Sequence, residues 1–245
     1  MSDEHQSKSK SKNLRFWTVL IFAFAILVVG FYFGRQYRSH LLWKYTEWQH
    51  NLKKVEKIPN RLMPECNVPE DWVEHSWGCM SFRLPPEASL FKEANKTVAY
   101  FCGDIGTLIT LSPLSPEMMS FLDASSQMYP VPGLSMTMPR LRLESSAVGA
   151  NDFRWSMSSE EVRWLSYAVP LRSAVFLDDV KSSESLHRKD WEGVLFFRER
   201  LVFFDWQCTT GSTGGYIWFN NTNEEQELDR DIVRKIVQSI KINCP

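Results

Sequence analysis

His75 stands four residues before Cys79 and close to Cys66, a nitrogen and sulfur set of the kind that ligates zinc. A structural zinc site needs a second tight pair, and none follows, so a surface histidine near thiols is the simpler account. After residue 58 the only histidines are His75 and His187, which leaves a histidine-dependent triad few candidates. The five cysteines, Cys66, Cys79, Cys102, Cys208 and Cys244, form no C-x-x-C, and their odd number leaves at least one thiol unpaired. In an oxidising compartment a Cys66–Cys79 disulfide would tie the linker to the first strand. Otherwise buried free thiols are expected.

Other short patterns invite chemistry and fall short of it. Thr209–Gly215 is rich in glycine and could offer backbone amides to a phosphate, but it lacks the P-loop lysine and joins two apparent strands, so it reads as a hairpin turn. Ser89 and Lys92 fit S-x-x-K without the companion serine and lysine motifs. Asp178, Asp179 and Glu184 offer carboxylates for glycosidic chemistry or a calcium loop, yet their spacing matches neither, and a solvated loop is expected. The stretch Asp152–Ser158 and the aromatic run around Trp206 carry the Trp and Arg that interfaces favour. No set of residues assembles a catalytic, cofactor-binding or metal site. Two classes of function remain: a non-enzymatic protein-interaction or assembly module, and a membrane-bound hydrolase whose site is built from residues distant in sequence.

The elements that would position such residues begin with an anchor. Residues 16–34, FWTVLIFAFAILVVGFYFG, are nineteen in a row without a charge. At 1.5 Å per residue such a helix matches the ~30 Å hydrocarbon layer, so the lipid bilayer is the expected partner of 16–34. The run exceeds the 7–15 residues usual for a signal-peptide core, and no small-x-small cleavage site follows, which favours a retained signal-anchor. Trp17, Tyr32, Tyr37 and Trp43 supply an aromatic belt, and Arg15, Arg35 and Arg38 close the span. Basic residues on the two sides nearly balance. The tail is expected inside and the domain extracytoplasmic.

Residues 1–15, with alternating Ser and Lys, are expected to be a disordered basic tail. Beyond the span, residues 35–58 are expected to continue as a helical stalk. Leu41, Tyr45, Trp48, Leu52 and Val55 recur at four and three, a narrow apolar seam. The seam admits a protein partner or a homodimer through the stalk, or a juxtamembrane helix lying on lipid or on the domain. Gly30 and Gly34 form a G-x-x-x-G that also permits close helix approach.

Pro59 and Pro64 mark the start of a soluble domain, 59–245, with ample apolar residues for one core. Strands are predicted at 79–84, 97–102 and 107–111, then at 193–197, 200–207 and 216–219, with a further short strand at 140–144. Helices are predicted from Ser115 to about Gln127, from Ser158 until Pro170 ends or kinks it, and over 224–241, where Leu228, Ile232, Ile236 and Ile240 form a stripe. Residues 129–139, with three prolines and a glycine, read as a loop. The sum is an α+β fold, a mostly antiparallel sheet with helices on one face, preceded by one transmembrane helix and a helical stalk.

The opening Trp77–Pro85, an apolar strand ending in proline, and the C-terminal Ile236–Ile242 together resemble the Mog1/PsbP-like group of domains. The resemblance implies a fold and brings no catalytic motif. Residues 1–57 hold ten Lys/Arg against four Asp/Glu, whereas 58–245 hold eighteen against twenty-five. A basic arm suits anionic headgroups, and an acidic domain is no partner for nucleic acid.

Overall fold

The computed structural model describes residues 3–50, 55–94, 96–103, 106–128, 137–175, 177–211, 213–222 and 228–245. The chain forms two compact units, Met1–Lys54 with Ala150–Tyr167, and Val55–Gly149 with Ala168–Pro245.

The first unit is built on α1 (Asp3–His50), one helix through the span and into the stalk. No proline interrupts it, and it also takes in residues 3–15, where composition predicts disorder. Its Trp17–His50 stretch is the one helix among the described residues long and apolar enough to cross a membrane, and its most apolar window is unburied. A short 3-10 turn (Ala150–Asp152) and the start of α4 (Ser159–Ala174) complete the unit. The predicted start of α4 holds, as a capping box: Glu161 N donates to Ser158 Oγ at 3.2 Å and Ser158 N to Glu161 Oε2 at 2.6 Å. Those bonds hold the exposed Glu161 carboxyl below its ordinary range. Pro170 does not end the helix, which continues to Ala174.

The second unit holds an eight-stranded sheet and a three-stranded one. Its strands are β1 (Asn60–Leu62), β2 (Val73–Trp77), β3 (Met80–Leu84), β4 (Ala88–Ala94), β5 (Thr97–Cys102), β6 (Thr107–Pro113), β7 (Ser182–His187), β8 (Trp191–Phe197), β9 (Leu201–Cys208), β10 (Gly214–Asn221) and β11 (Lys241–Ile242). The large sheet has the order β1-β7-β8-β9-β10-β6-β5-β4 and is antiparallel except for β1 beside β7, and the small sheet runs β11-β3-β2. The helices are α2 (Pro116–Met128), α3 (Met138–Ser146) and α5 (Arg230–Ser239), with the end of α4. This is the expected α+β, mostly antiparallel architecture.

Alternation sets the core. Leu195 and Phe197 of β8, Val202, Phe204 and Trp206 of β9 and Ile109 and Leu111 of β6 share one face, packed with Met80, Phe82 and Leu84 of the small sheet and Val233, Ile236 and Val237 of α5. Asp229 caps α5 by accepting from Asp231 N at 2.9 Å and Ile232 N at 3.1 Å. The helix closes at Ser239, short of the predicted 241, because Ile240 is already extended and Ile242 pairs with Met80. Residues 224–227 of that prediction lie outside the described residues, as do 129–136 of the predicted loop.

Two corrections come from polar residues in buried places. The strand predicted at 140–144 is helix α3, capped by Thr137 with Pro139 in its first turn. Met138, Leu141, Arg142 and Ser145 form its buried face at helical spacing, and the arginine within that face disguised the period. The second correction is Glu184, expected in a solvated loop. It is 1% exposed in β7 and accepts from Arg61 of β1 at 2.6 Å and from Arg234 of α5 at 2.9 Å. Strands β1, β2, β4, β7 and β11 add to those predicted.

Candidate functional site

In the first unit, one face of the stalk is covered by the chain itself. Trp43, 2% exposed, stacks on Phe153 with centroids 5.7 Å apart and planes within 5°, and His40 stacks on Trp155 at 4.4 Å. Gln36 Nε2 donates to the carbonyls of Trp155 and Met157, the latter at 2.9 Å, and Arg35 Nε and Ser39 Oγ reach Ser159 Oγ at 2.9 and 3.2 Å. The distinctive Asp152–Ser158 stretch is thus this helix's cover. Ser39 and Trp43 lie under it, and Ser39, Trp43 and Thr46, at spacings of four and three, are the buried residues of that face.

The opposite face carries the predicted seam, and it is open. Leu41, Tyr45 and Trp48 are 51%, 58% and 79% exposed, with Tyr37 and Leu42 beside them. Leu52, the next seam residue, lies outside the described residues, and Val55, the last, is not helical and belongs to the second unit, so the helix predicted to 58 is described only to His50. An exposed aromatic stripe opposite a face of the same helix that is already packed is an unusual arrangement, since a helix with one buried face normally leaves polar residues on the other.

In the second unit, α3 lies on the face of the large sheet away from α5 and brings in a buried ion pair. Arg142 Nη1 and Asp205 Oδ2 are 2.7 Å apart with both side chains fully buried. The guanidinium carbon stands 5.2 Å from the Phe203 ring centroid and 4.8 Å from that of Tyr216. Desolvation pushes the Asp205 carboxyl up to about 7, against the opposing pull of Arg142, and raises the Tyr216 phenol. A carboxyl sealed from solvent has no route to a substrate proton, so this pair holds α3 to the sheet.

Among the described residues of this unit, two clefts stand out. One, of about 250 Å³, is lined by Arg140, Glu144, His187 and Glu192 with Pro139, Leu143 and Val194. Glu192 accepts a hydrogen bond from Thr137 Oγ1 and lies 4.0 Å from His187 Nδ1. The other, of about 460 Å³, is lined by Trp77, Gly78, Cys79, Lys96, Pro113, Trp206, Thr213 and Gly214.

The remaining candidates are dispersed. His75 is half-buried against Tyr100, ring centroids 4.9 Å apart, and burial lowers its pKa. No group of three or more metal-ligating side chains occurs among the described residues. Ser89 and Lys92 sit on the edge strand β4; of the predicted turn, Thr209, Thr210, Gly211 and Thr213 lie between β9 and β10, with Gly211 at φ 79°, residue 212 lies outside the described residues, and Gly214 and Gly215 already pair in β10. The conditional Cys66–Cys79 pairing, and free thiols at Cys208 and Cys244, are corrected: the disulfide is Cys208–Cys244, because pairing of β11 with β3 carries the C-terminal segment to the end of β9. Cys66, Cys79 and Cys102 are free thiols, and burial pushes Cys102 up to about 12. Compared with known families and curated proteins, the chain matches no family model and no curated relative.

Proposed function

We propose that this chain is a single-pass membrane protein with a retained signal-anchor, whose domain faces an extracytoplasmic compartment and whose stalk docks another protein as part of a non-enzymatic assembly. The observation that carries the reading is the open stripe of Leu41, Tyr45 and Trp48 opposite a face already covered by residues 153–159.

Lipid does not account for that stripe. If the hydrocarbon layer ends near Gly34, Tyr45 and Trp48 lie roughly 16 and 21 Å farther along the axis at 1.5 Å per residue. The headgroup layer is only about 5–8 Å deep on each side, and a tilt of about 20° shortens those distances by less than a tenth. Both rings stand beyond the bilayer, where a protein surface is the apolar partner. A second copy of the chain is one such surface, since copies anchored alike present the same seam in parallel. The Cys208–Cys244 disulfide supports an oxidising compartment for the domain. The likeness to Mog1/PsbP-like domains belongs to the same reading, and its two stretches lie together, β11 pairing with β3.

The test places a photo-crosslinking amino acid at Tyr45, Trp48 or, as control, the exposed Lys92 in full-length protein in its native membrane. Defined adducts at Tyr45 and Trp48, absent at Lys92 and lost with Leu41→Lys, are expected. An adduct of twice the chain mass identifies a homodimer. Lipid adducts alone at both positions would refute docking.

A further inference from the structure

The larger cleft is built where three hairpin turns meet. Gly78 belongs to the β2–β3 turn, Lys96 to the β4–β5 turn and Thr213 to the β9–β10 turn, with Gly214 opening β10 and Pro113 at the end of β6. Its walls are apolar, dominated by Trp77 and Trp206. Beside the Thr213 hydroxyl and the Cys79 thiol, two polar features mark that lining. Lys96 is the only charged residue among those lining it, exposed at the rim and held at φ 65°, a left-handed conformation that is costly for a side chain with a Cβ. Trp206 is 2% exposed, and its indole Nε1 is buried without an acceptor among the described residues. A buried indole N–H ordinarily finds a partner.

We propose that this cleft binds a small amphipathic carboxylate, with its chain against Trp77, Pro113 and Trp206 and its head on Lys96 and the indole N–H. The volume falls within the ~300–1,000 Å³ of small-molecule sites. The occupant is set by charge complementarity: the lining residues offer one ammonium, one orphan donor and no carboxylate, so an apolar body with an anionic acceptor matches both, whereas a cationic ligand meets repulsion and a purely apolar one leaves the N–H unpaired. The proposal is independent of the stalk's docking surface.

Cys79 lines the cleft and Cys66 does not, which supplies an internal control. Full-length protein in lipid nanodiscs is alkylated with a maleimide at increasing octanoate, and the rate at each cysteine is read by peptide mass spectrometry. Octanoate is expected to slow alkylation of Cys79 saturably and leave Cys66 unchanged, with octanol a weaker protector. Lys96→Gln, a change at an exposed rim position, should raise the half-protecting concentration about fivefold, the worth of a good exposed ion pair. An unchanged Cys79 rate at all concentrations, or equal slowing of both cysteines, overturns the site. Equal protection by octanol, or no shift in Lys96→Gln, overturns the anionic head.

Discussion

Replacing Arg142 by methionine strikes the second unit where its charges are most deeply buried. The side chain is fully enclosed, so the substitution keeps most of the volume while leaving Asp205 without its 2.7 Å partner. Breaking a buried pair from one side costs about 3–5 kcal/mol, because the surviving charge stays desolvated. For a domain of this size that is a fall of about 6–20 °C in melting temperature. The loss must also depend on pH, with a definite sign. In the folded chain the Asp205 carboxyl titrates at about 7, well above its ordinary range, so between about pH 4 and pH 7 the folded state holds a proton that the unfolded state has released. The stability from this group therefore falls as pH rises through that window. Removing Arg142 takes away the influence that opposes burial, and the window extends upward. Thermal melts of full-length protein in nanodiscs, followed by tryptophan fluorescence, should show Arg142→Met far below wild type at pH 8 and much closer at pH 5. The double variant Arg142→Met, Asp205→Leu should recover most of the deficit at both, since an apolar pair of similar volume replaces a buried ion pair at little cost. A single variant melting within about 2 °C of wild type at pH 8, or an equal deficit at the two pH values, would refute this account.

Two further outcomes follow from the packing. The Cys208–Cys244 bond closes a separation of 36 residues, so Cys244→Ser should lower unfolding stability by up to about 4 kcal/mol on loop-closure grounds, and peptide mapping after alkylation in denaturant without reductant should then find the buried Cys208 alkylated. A Cβ at Gly193 would stand 2.3 Å from Phe204 Cζ and 3.1 Å from the Asp205 carbonyl oxygen, so Gly193→Ala should cost about 1–3 kcal/mol in denaturant unfolding, unlike Gly211→Asn in an open turn that tolerates it.

The sequence was legible where residue type and environment agree. Leu195, Phe197, Phe204 and Ile217 alternate as strand residues and are buried as such, and the stripe of Val233, Ile236 and Val237 needed only its cap at Asp229 to become α5. It misled where buried residues are polar. Ser183, Glu184 and Ser185 form the inner run of β7, and no scale of apolar periodicity finds a strand whose central carboxylate is satisfied by arginines 123 and 50 residues away. Arg142 hid α3 for the same reason. On the stalk, the spacing of Leu41, Tyr45 and Trp48 was visible. The cover over His40 and Trp43 was not, because Phe153 and Trp155 arrive from more than a hundred residues away. The larger cleft is a junction of three turns, and nothing local in any of them announces the other two.

The order of the strands has a consequence for how the domain is made. Strands β3, β5 and β6 emerge early, but the surfaces that bury them belong to β10, α5 and β11, far later in the chain. At roughly 5–20 residues per second of synthesis, those early hydrophobic faces wait many seconds for their covers. Pairings so distant in sequence are slow to nucleate, and half-made sheets invite association with other nascent chains. Biogenesis of this domain is accordingly expected to lean on chaperones, with the joining of Cys208 and Cys244, their two thiols oxidised together by disulfide exchange with an external disulfide that is reduced in turn, among the final steps to lock the fold.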